Sequence, residues 1–239
     1  MVGLLQLSSF EEVRAMNLLD VCTGVVATGG TGYNVSLISS SELTYNGTTG
    51  DCTPPAGIQD GDMLIGFISA DNEASDVTQP ASFTKIADIT PGTHSPTFTQ
   101  EAFYKEASGE SGNYTWAVDP SDNVIVHMLC FRKASGTSWT DPTTAGYWSE
   151  KTSGDASTTS ASVTTQNESV LAISWGNNSA FTAATPPATM TEAEGIAYNS
   201  ALSQYTYTED FETGAATTRT FVWSSTNWNG AIAVVLYAS

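Results

Sequence analysis

Short segments in which apolar and polar residues alternate recur along the chain, and this pattern predicts β-strands. The clearest apolar runs are 63–68 and 170–175. β-Branched and aromatic residues are frequent in these segments, and Gly, Pro and Asn separate them. Charged residues make up only 13% of the chain, so long helices rich in Glu, Lys and Arg are not expected. The pattern is typical of an all-β protein.

The pattern also repeats itself along the chain at one constant spacing. Trp116 in "NYTWAV" aligns with Trp223 in "TFVWSS" when the chain is shifted by 107 residues. Without any gap, the same shift aligns 59–68 with 166–175, 80–84 with 187–191, 98–106 with 205–213, and 124–131 with 231–238. A fixed spacing between similar segments indicates an internal repeat. We therefore predict two duplicated strand units, at about 54–132 and about 161–239, joined by a linker loop at about 133–160.

Each unit is expected to fold as a set of antiparallel strands that ends in a hairpin. The hairpins would pair 113–118 with 123–131, and 220–225 with 230–238. Two consecutive antiparallel units with this spacing predict a jelly-roll-like β-sandwich over residues 35–239. The two units would pack face to face as a single domain, and two independent half-size domains are the alternative.

Residues 1–34 lie outside the repeat and are predicted to form an N-terminal arm. Ser9 and Glu12 have the spacing of a capping box, which favours a short helix. The apolar residues of the arm that we expect to contact a partner are Leu4, Leu5, Phe10, Val13 and Leu18. The arm would pack either on a neighbouring protein or on an edge of its own sandwich.

The net charge of −18 reflects a lack of basic residues, since the chain has only seven Lys and Arg. So few cations cannot line a groove that follows nucleic-acid phosphates, and they give little attraction to anionic lipid. No apolar run reaches the roughly 20 residues that a membrane-spanning helix needs. The first residues also lack the basic and apolar regions of a signal peptide, so we expect a protein made in the cytoplasm.

The chain offers no spacing typical of a metal site or of a disulfide framework. Cys22, Cys52 and Cys130 are far apart and are expected to be small buried residues. His94 lies in a turn-rich loop, and His127 alternates with apolar neighbours in a predicted strand. Acidic clusters in several loops fit turn chemistry, with bound calcium as the alternative. No cofactor is expected.

Three short motifs occur in the order that serine β-lactamases and penicillin-binding proteins use. They are S-x-x-K at 82–85, S-D-N at 121–123 and K-T-S, close to K-T-G, at 151–153. The nucleophile of such enzymes begins a helix, whereas Ser82 follows Pro80 in a β pattern. The duplicate position of Ser121 is Trp228, and a hairpin turn explains the S-D-N triplet. We therefore predict a protein without catalytic residues that is not an enzyme; a hydrolase whose site leaves no sequence pattern is the alternative.

The aromatic residues divide into two groups. Trp116, Trp175 and Trp223 lie in predicted strands and are expected in the core. Trp139, Tyr147 and Trp148 lie in the predicted linker and form a candidate exposed contact surface. Such a surface would bind another protein or stack on a sugar.

Residues 54–132 carry a longer pattern, P-x-G-x-x-x-G-D-x-L-x-x-x-x-x-A, followed by an aromatic-Lys strand and Y-T-W. The matching residues are Pro55, Gly57, Gly61, Asp62, Leu64 and Ala70, then Tyr104, Lys105, Tyr114 and Trp116. The pattern resembles that of accessory virion proteins of tailed bacteriophages. The resemblance implies a β-sandwich on a virion, either as a head decoration (cement) protein or as part of a tail fibre, and it supplies no catalytic residues.

We therefore expect a non-enzymatic virion structural protein, a capsid decoration protein that stabilises the phage head through its arm and one sandwich edge. Its partners would be the major capsid protein and copies of itself, as a homotrimer at local three-fold axes. It would lie on the outer surface of the virion after assembly in the host cytoplasm. The alternative is a tail-fibre module that binds a surface glycan or receptor.

Overall fold

The structure, a computed structural model, describes residues 34–71, 76–89, 98–145, 147–159, 163–179 and 185–239. Only the backbone is described at 144–145, 147–159 and 224–228. The elements are β1 (Val35–Cys52), β2 (Met63–Ala70), β3 (Asp76–Thr78), β4 (Thr84–Ile89), β5 (Thr99–Glu106), β6 (Tyr114–Lys133), α1 (Pro142–Ala145), β7 (Tyr147–Thr159), β8 (Val163–Thr164), β9 (Ser169–Asn177), β10 (Thr191–Tyr198), β11 (Leu202–Phe211), β12 (Ala216–Thr217) and β13 (Thr220–Leu236). The predicted all-β, antiparallel class is confirmed for this part of the chain.

The second large sheet repeats the strand order of the first. The first has the order β1-β6-β2-β5-β4, with β3 also paired to β6. Taken from its β7 edge, the second has the order β7-β13-β9-β11-β10, and β8 and β12 form a small separate sheet. All paired strands are antiparallel. Each large sheet is therefore built from one half of the chain.

Contacts between the two large sheets are reciprocal. β1 contacts β10 at one edge, and β4 contacts β7 at the other. In the same way β6 contacts β11, and β13 contacts β5. Exchanging corresponding strands turns each contact into the other, as a two-fold rotation does. The two halves are therefore related by an approximate two-fold axis that passes between the sheets.

The pairing of strands shows that one constant spacing does not relate all parts of the two halves. Met63 pairs with Glu106 and with Phe131. Val170, which is 107 residues after Met63, pairs with Asp210 and with Leu236. The corresponding spacing is therefore 104 residues from β5 to β11 and 105 residues from β6 to β13. The ungapped shift of 107 is wrong for these two strands, because fewer residues connect β10 to β11 than connect β4 to β5.

The predicted hairpins at 113–118 with 123–131 and at 220–225 with 230–238 are wrong. Both segments of the first pair belong to β6, which pairs with β1 from Tyr114 to Lys133. Between the two ladders, residues 118–121 of β6 lie opposite Thr48 alone, and Pro120 has no N–H to donate. In β13, residues 223–226 likewise lie opposite Ala156 alone. A long strand with a wide bulge replaces each hairpin because β1 and β7 provide partners on both sides of the bulge.

The inner apolar cluster draws residues from both large sheets. Ile65, Phe67 and Leu129 of the first sheet cluster with Ala172 and Val234 of the second, and all five are buried. Alternation along each strand places these side chains on the inner face. The sheets therefore pack face to face over a shared core, as predicted for a sandwich.

The bulges let the first halves of β6 and β13 cover the outer face of their own sheets. Trp116 lies over Gly66, where an added Cβ would come within 2.7 Å of the indole. In the second half, the rings of Trp175 and Phe221 stack at 5.3 Å. Trp116, Trp175 and Trp223 are all buried, so their predicted place in the core is confirmed.

Candidate functional site

Asp62 and Arg132 form a partly buried ion pair at the centre of the phage-like pattern. Arg132 Nε donates to Asp62 Oδ1 at 2.8 Å, and Arg132 Nη2 donates to Asp62 Oδ2 at 2.7 Å. Arg132 Nη2 also donates to the carbonyl oxygen of Gly57 at 2.9 Å. Gly57 and Gly61 have φ values of +74° and +89°, which favour glycine. The glycines and the aspartate of the pattern therefore shape and anchor one loop.

The same loop has further anchors that leave little room for a ligand. Gln59 N donates to Asp62 Oδ2 at 2.8 Å, and Trp139 Nε1 donates to the carbonyl oxygen of Gly61 at 2.7 Å. Burial alone would raise the pKa of Asp62, but the hydrogen bonds and charge of Arg132 outweigh it, and the pKa lies below its ordinary value. Asp62 is thus a permanently charged structural group rather than a general acid.

The aromatic-Lys part of the pattern is equally committed to the fold. Lys105 Nζ lies 2.7 Å from Glu110 Oε1, and the Tyr114 hydroxyl donates to Glu110 Oε2 at 2.6 Å. Trp116 is fully buried against Phe103, with ring centroids 5.5 Å apart. These side chains hold β5, β6 and the intervening loop together, and none of them presents a reactive group to solvent.

A second polar cluster lies between the two sheets. His127 Nδ1 is 2.9 Å from Thr206 Oγ1, and the Thr206 hydroxyl donates to Ser174 Oγ at 3.1 Å. Gln100 Nε2 donates to the carbonyl oxygen of Ser174 at 3.3 Å and to its Oγ at 3.2 Å. This cluster joins the polar half of the inner layer to the apolar half described above.

His127 is the titratable group of this cluster, and it is fully buried in β6. Burial lowers its pKa to about 3, so the imidazole is neutral near pH 7. A neutral ring without solvent access cannot exchange protons with a bound substrate. The prediction that His127 is a strand residue rather than a ligand agrees with this placement, while His94 lies outside the described residues.

The structure does not bring together the motifs that resemble those of serine β-lactamases. Lys85 of β4 is paired with Glu101, with 2.6 Å between Nζ and Oε2. Asn123 of β6 accepts hydrogen bonds from Asn46 and Asn199 at 2.8 and 3.1 Å. Because β5 and β2 separate β4 from β6, three strand spacings put Lys85 about 14 Å from Asn123. The predicted turn around Ser121 is instead part of the bulge in β6.

The other predicted site residues meet different outcomes. Trp139 is half-buried, packs against the inner cluster and lies under Lys133 Nζ at 5.5 Å from its ring centre. Tyr147 and Trp148 lie in β7, and only their backbone is described. The predicted arm contacts Leu4, Leu5, Phe10, Val13 and Leu18 lie outside the described residues. The proposed aromatic and arm surfaces stay predictions.

Cys52 and Cys130 are buried, unpaired thiols, as their spacing predicts, while Cys22 lies outside the described residues. Burial raises the pKa of Cys52 to about 11 and that of Cys130 to about 12, which suppresses thiolate formation. Within the described ranges, no three His, Cys, Asp or Glu side chains are grouped so that they could hold a metal ion. No helix in that part of the chain is long and apolar enough to cross a membrane.

Comparison with protein-family models, with curated proteins and with solved structures found no match for this chain. Function is therefore argued from the residues themselves.

Two important side-chain relationships are not evident in the sequence. Asp62 and Arg132 are 70 residues apart, and Gln100 and Gln204 are shifted out of alignment by the spacing of 104 residues between β5 and β11. The signal that could have found the second pair was a glutamine at an inward position of two otherwise apolar strands.

Proposed function

We propose that this chain is a non-enzymatic virion structural protein that binds the outer surface of a phage head as a capsid decoration protein. The observation that carries the proposal is the Asp62–Arg132 pair. It gives the residues shared with accessory virion proteins a role in building a sandwich rather than in chemistry. The arrangement proposed for the whole chain is a jelly-roll-like sandwich preceded by a helical arm.

The charges of the described surface support a basic partner. Each Lys or Arg whose side chain is described is already in an ion pair: Lys85 with Glu101, Lys105 with Glu110, Arg132 with Asp62, Lys133 with Glu106, and Arg219 with Glu209. With 25 acidic residues in the chain, most carboxylates have no such cation. A partner that gains from charge complementarity must therefore present Lys and Arg. A basic patch on the major capsid protein would fit this surface.

The arm and one sandwich edge are the proposed contacts with the capsid. Leu4, Leu5, Phe10, Val13 and Leu18 would supply apolar anchors, and copies of the chain would associate as trimers at local three-fold axes. Both contacts would form on the outside of the head after synthesis in the host cytoplasm.

Binding to purified phage particles that lack the protein tests this proposal. Deleting residues 1–30 should leave a protein that still unfolds cooperatively but no longer binds particles. Phe10→Ser combined with Val13→Ser should weaken binding at least about tenfold, since two buried apolar anchors are lost. Ser8→Ala is the matched control and should bind as the unmodified chain does.

Salt provides a second arm of the same experiment. Binding to a basic surface should weaken as the ionic strength rises, because salt screens exposed charges. Full particle occupancy by the truncated protein would refute the role of the arm. Binding of a glycan array, abolished by Trp148→Ala, would instead support the tail-fibre alternative.

A further inference from the structure

The polar half of the inner layer is organised about the approximate two-fold axis. Gln100 Nε2 donates to the carbonyl oxygen of Ser174, and Gln204 Nε2 donates to that of Phe67 at 3.2 Å. Both glutamines are fully buried. Each carboxamide therefore reaches from its own sheet to the central strand of the opposite one.

Ser69 lies at the centre of this arrangement. It pairs directly with Gln100 on β2 and β5, as Gly176 pairs with Gln204 on β9 and β11. Ser69 Oγ lies 3.1 Å from the position that a Cβ on Gly176 would take. Residues directly opposite on antiparallel strands have Cβ atoms about 5 Å apart. The two carboxamides thus flank the contact of Ser69 with Gly176 from opposite sheets.

The hydrogen-bonding groups around this point are out of balance. Gln100 Oε1, Gln204 Oε1 and Ser69 Oγ are buried and find no protein partner among the described residues. Turning either carboxamide over would place its oxygen against a backbone carbonyl oxygen, so the assignment of the amide groups is fixed. Two acceptors then compete for one hydroxyl proton. Leaving a buried acceptor unpaired costs about 1–3 kcal/mol, so a guest with two donors is favoured here.

We propose that this point is an internal binding site for an ordered water molecule. The water donates one hydrogen bond to Gln100 Oε1 and one to Gln204 Oε1, and it accepts one from the Ser69 hydroxyl. Three hydrogen bonds are the usual number for a buried water in a protein. The water would join the two halves of the chain on their two-fold axis, so that the site is complete only when both sheets are in place.

A crystal structure of the full chain at about 1.5 Å resolution tests the site without any substitution. We expect one peak of water density within about 3.2 Å of both amide oxygens and of Ser69 Oγ. A hydroxyl of Ser69 bonded directly to one amide oxygen, with no density between the two carboxamides, would overturn the proposal.

Magnetic relaxation dispersion of water nuclei gives an independent answer in solution. The unmodified chain should hold at least one long-lived internal water, and Gln204→Leu should hold about one fewer. Gln166→Leu is the matched control, because Gln166 is exposed and corresponds to no part of the site; its count should not change. Equal counts for a folded Gln204→Leu and for the unmodified chain would contradict the site.

Discussion

Gln100 and Gln204 make the same hydrogen bond in opposite directions across the two sheets. Gln100 Nε2 donates to the carbonyl oxygen of Ser174 at 3.3 Å, and Gln204 Nε2 donates to that of Phe67 at 3.2 Å. Ser174 lies on β9 at the position that Phe67 occupies on β2, 107 residues earlier. The two-fold relation of the halves is therefore expressed in side chains as well as in strand order. These bonds fix how one sheet is placed on the other.

Replacing either glutamine by leucine should destabilise the protein by a similar amount. Gln100→Leu and Gln204→Leu each remove one buried hydrogen bond, so each should lower the free energy of unfolding by about 1–2 kcal/mol. Urea denaturation followed by tryptophan fluorescence measures the change. Gln166→Leu, on the surface, should leave the midpoint unchanged. A large effect of one buried substitution and none of the other would contradict the equivalence of the pair.

Asp62→Asn should be among the most destabilising substitutions of a polar residue. It keeps the shape of the side chain but leaves Arg132 beside a neutral group, and breaking such a pair costs about 2–4 kcal/mol when one partner is partly exposed. Asp88→Asn is the control, because the Lys85–Asp88 pair is exposed, and it should cost less than about 0.5 kcal/mol. Thermal unfolding at pH 7 compares the two variants.

The lowered pKa of Asp62 also sets a pH window for this pair. Its contribution to stability is present above the unfolded-state pKa of about 3.9 and is lost as the pH falls through the lower pKa of the folded state. The difference in unfolding free energy between Asp62→Asn and the unmodified chain should therefore shrink below about pH 4. A difference that stays constant to pH 2 would show that the charge is not what matters.

His127 should make the protein sensitive to acid. Its folded pKa of about 3 lies below the ordinary value of 6.5, so its contribution to stability is complete above about pH 6.5 and falls as the pH drops toward 3. The corresponding residue of β13 is Ile232, so His127→Ile is a conservative test. This variant should lack a loss of up to about 1.4 kcal/mol per pH unit in that window. Equal slopes of stability against pH for both proteins would refute the assignment.

Asp71 should produce the opposite dependence on pH. Burial, and then the charge of Asp122, raise the pKa of Asp71 to about 6. Its contribution is present below the ordinary pKa and is lost as the pH rises through 6, so Asp71→Asn should be more stable than the unmodified chain above pH 6. The carboxyl is only half-buried, so the gain should be on the order of 1 kcal/mol. Asp119→Asn, at an exposed site, should show no comparable gain at pH 8 in chemical denaturation.

Local patterns predict the strands, whereas long-range pairing is hidden from them. The apolar alternation around Met63 and Val170 marks β2 and β9 because inward residues must be apolar in any sandwich. The hairpins were mispredicted because a proline-containing segment such as 118–121 fits a tight turn as well as a bulge. The offset of β11 was missed because a change of three residues in a loop leaves little trace in a chain rich in Ser and Thr.

The candidate site shows the same limit. The sequence marks Gly61 and Asp62 as a pattern, but only the fold brings Arg132 to the carboxylate and so shows that the pattern is structural. The burial of His127 against Thr206 likewise depends on the packing of two sheets that are far apart in sequence.

A density map of the intact virion that carries this chain tests the central claim most directly. The account predicts two-sheet sandwiches on the outer surface of the head, in numbers comparable with the capsid subunits, each with its N-terminal arm on the capsid. Density for the chain on the tail alone, or none on the particle, would contradict it.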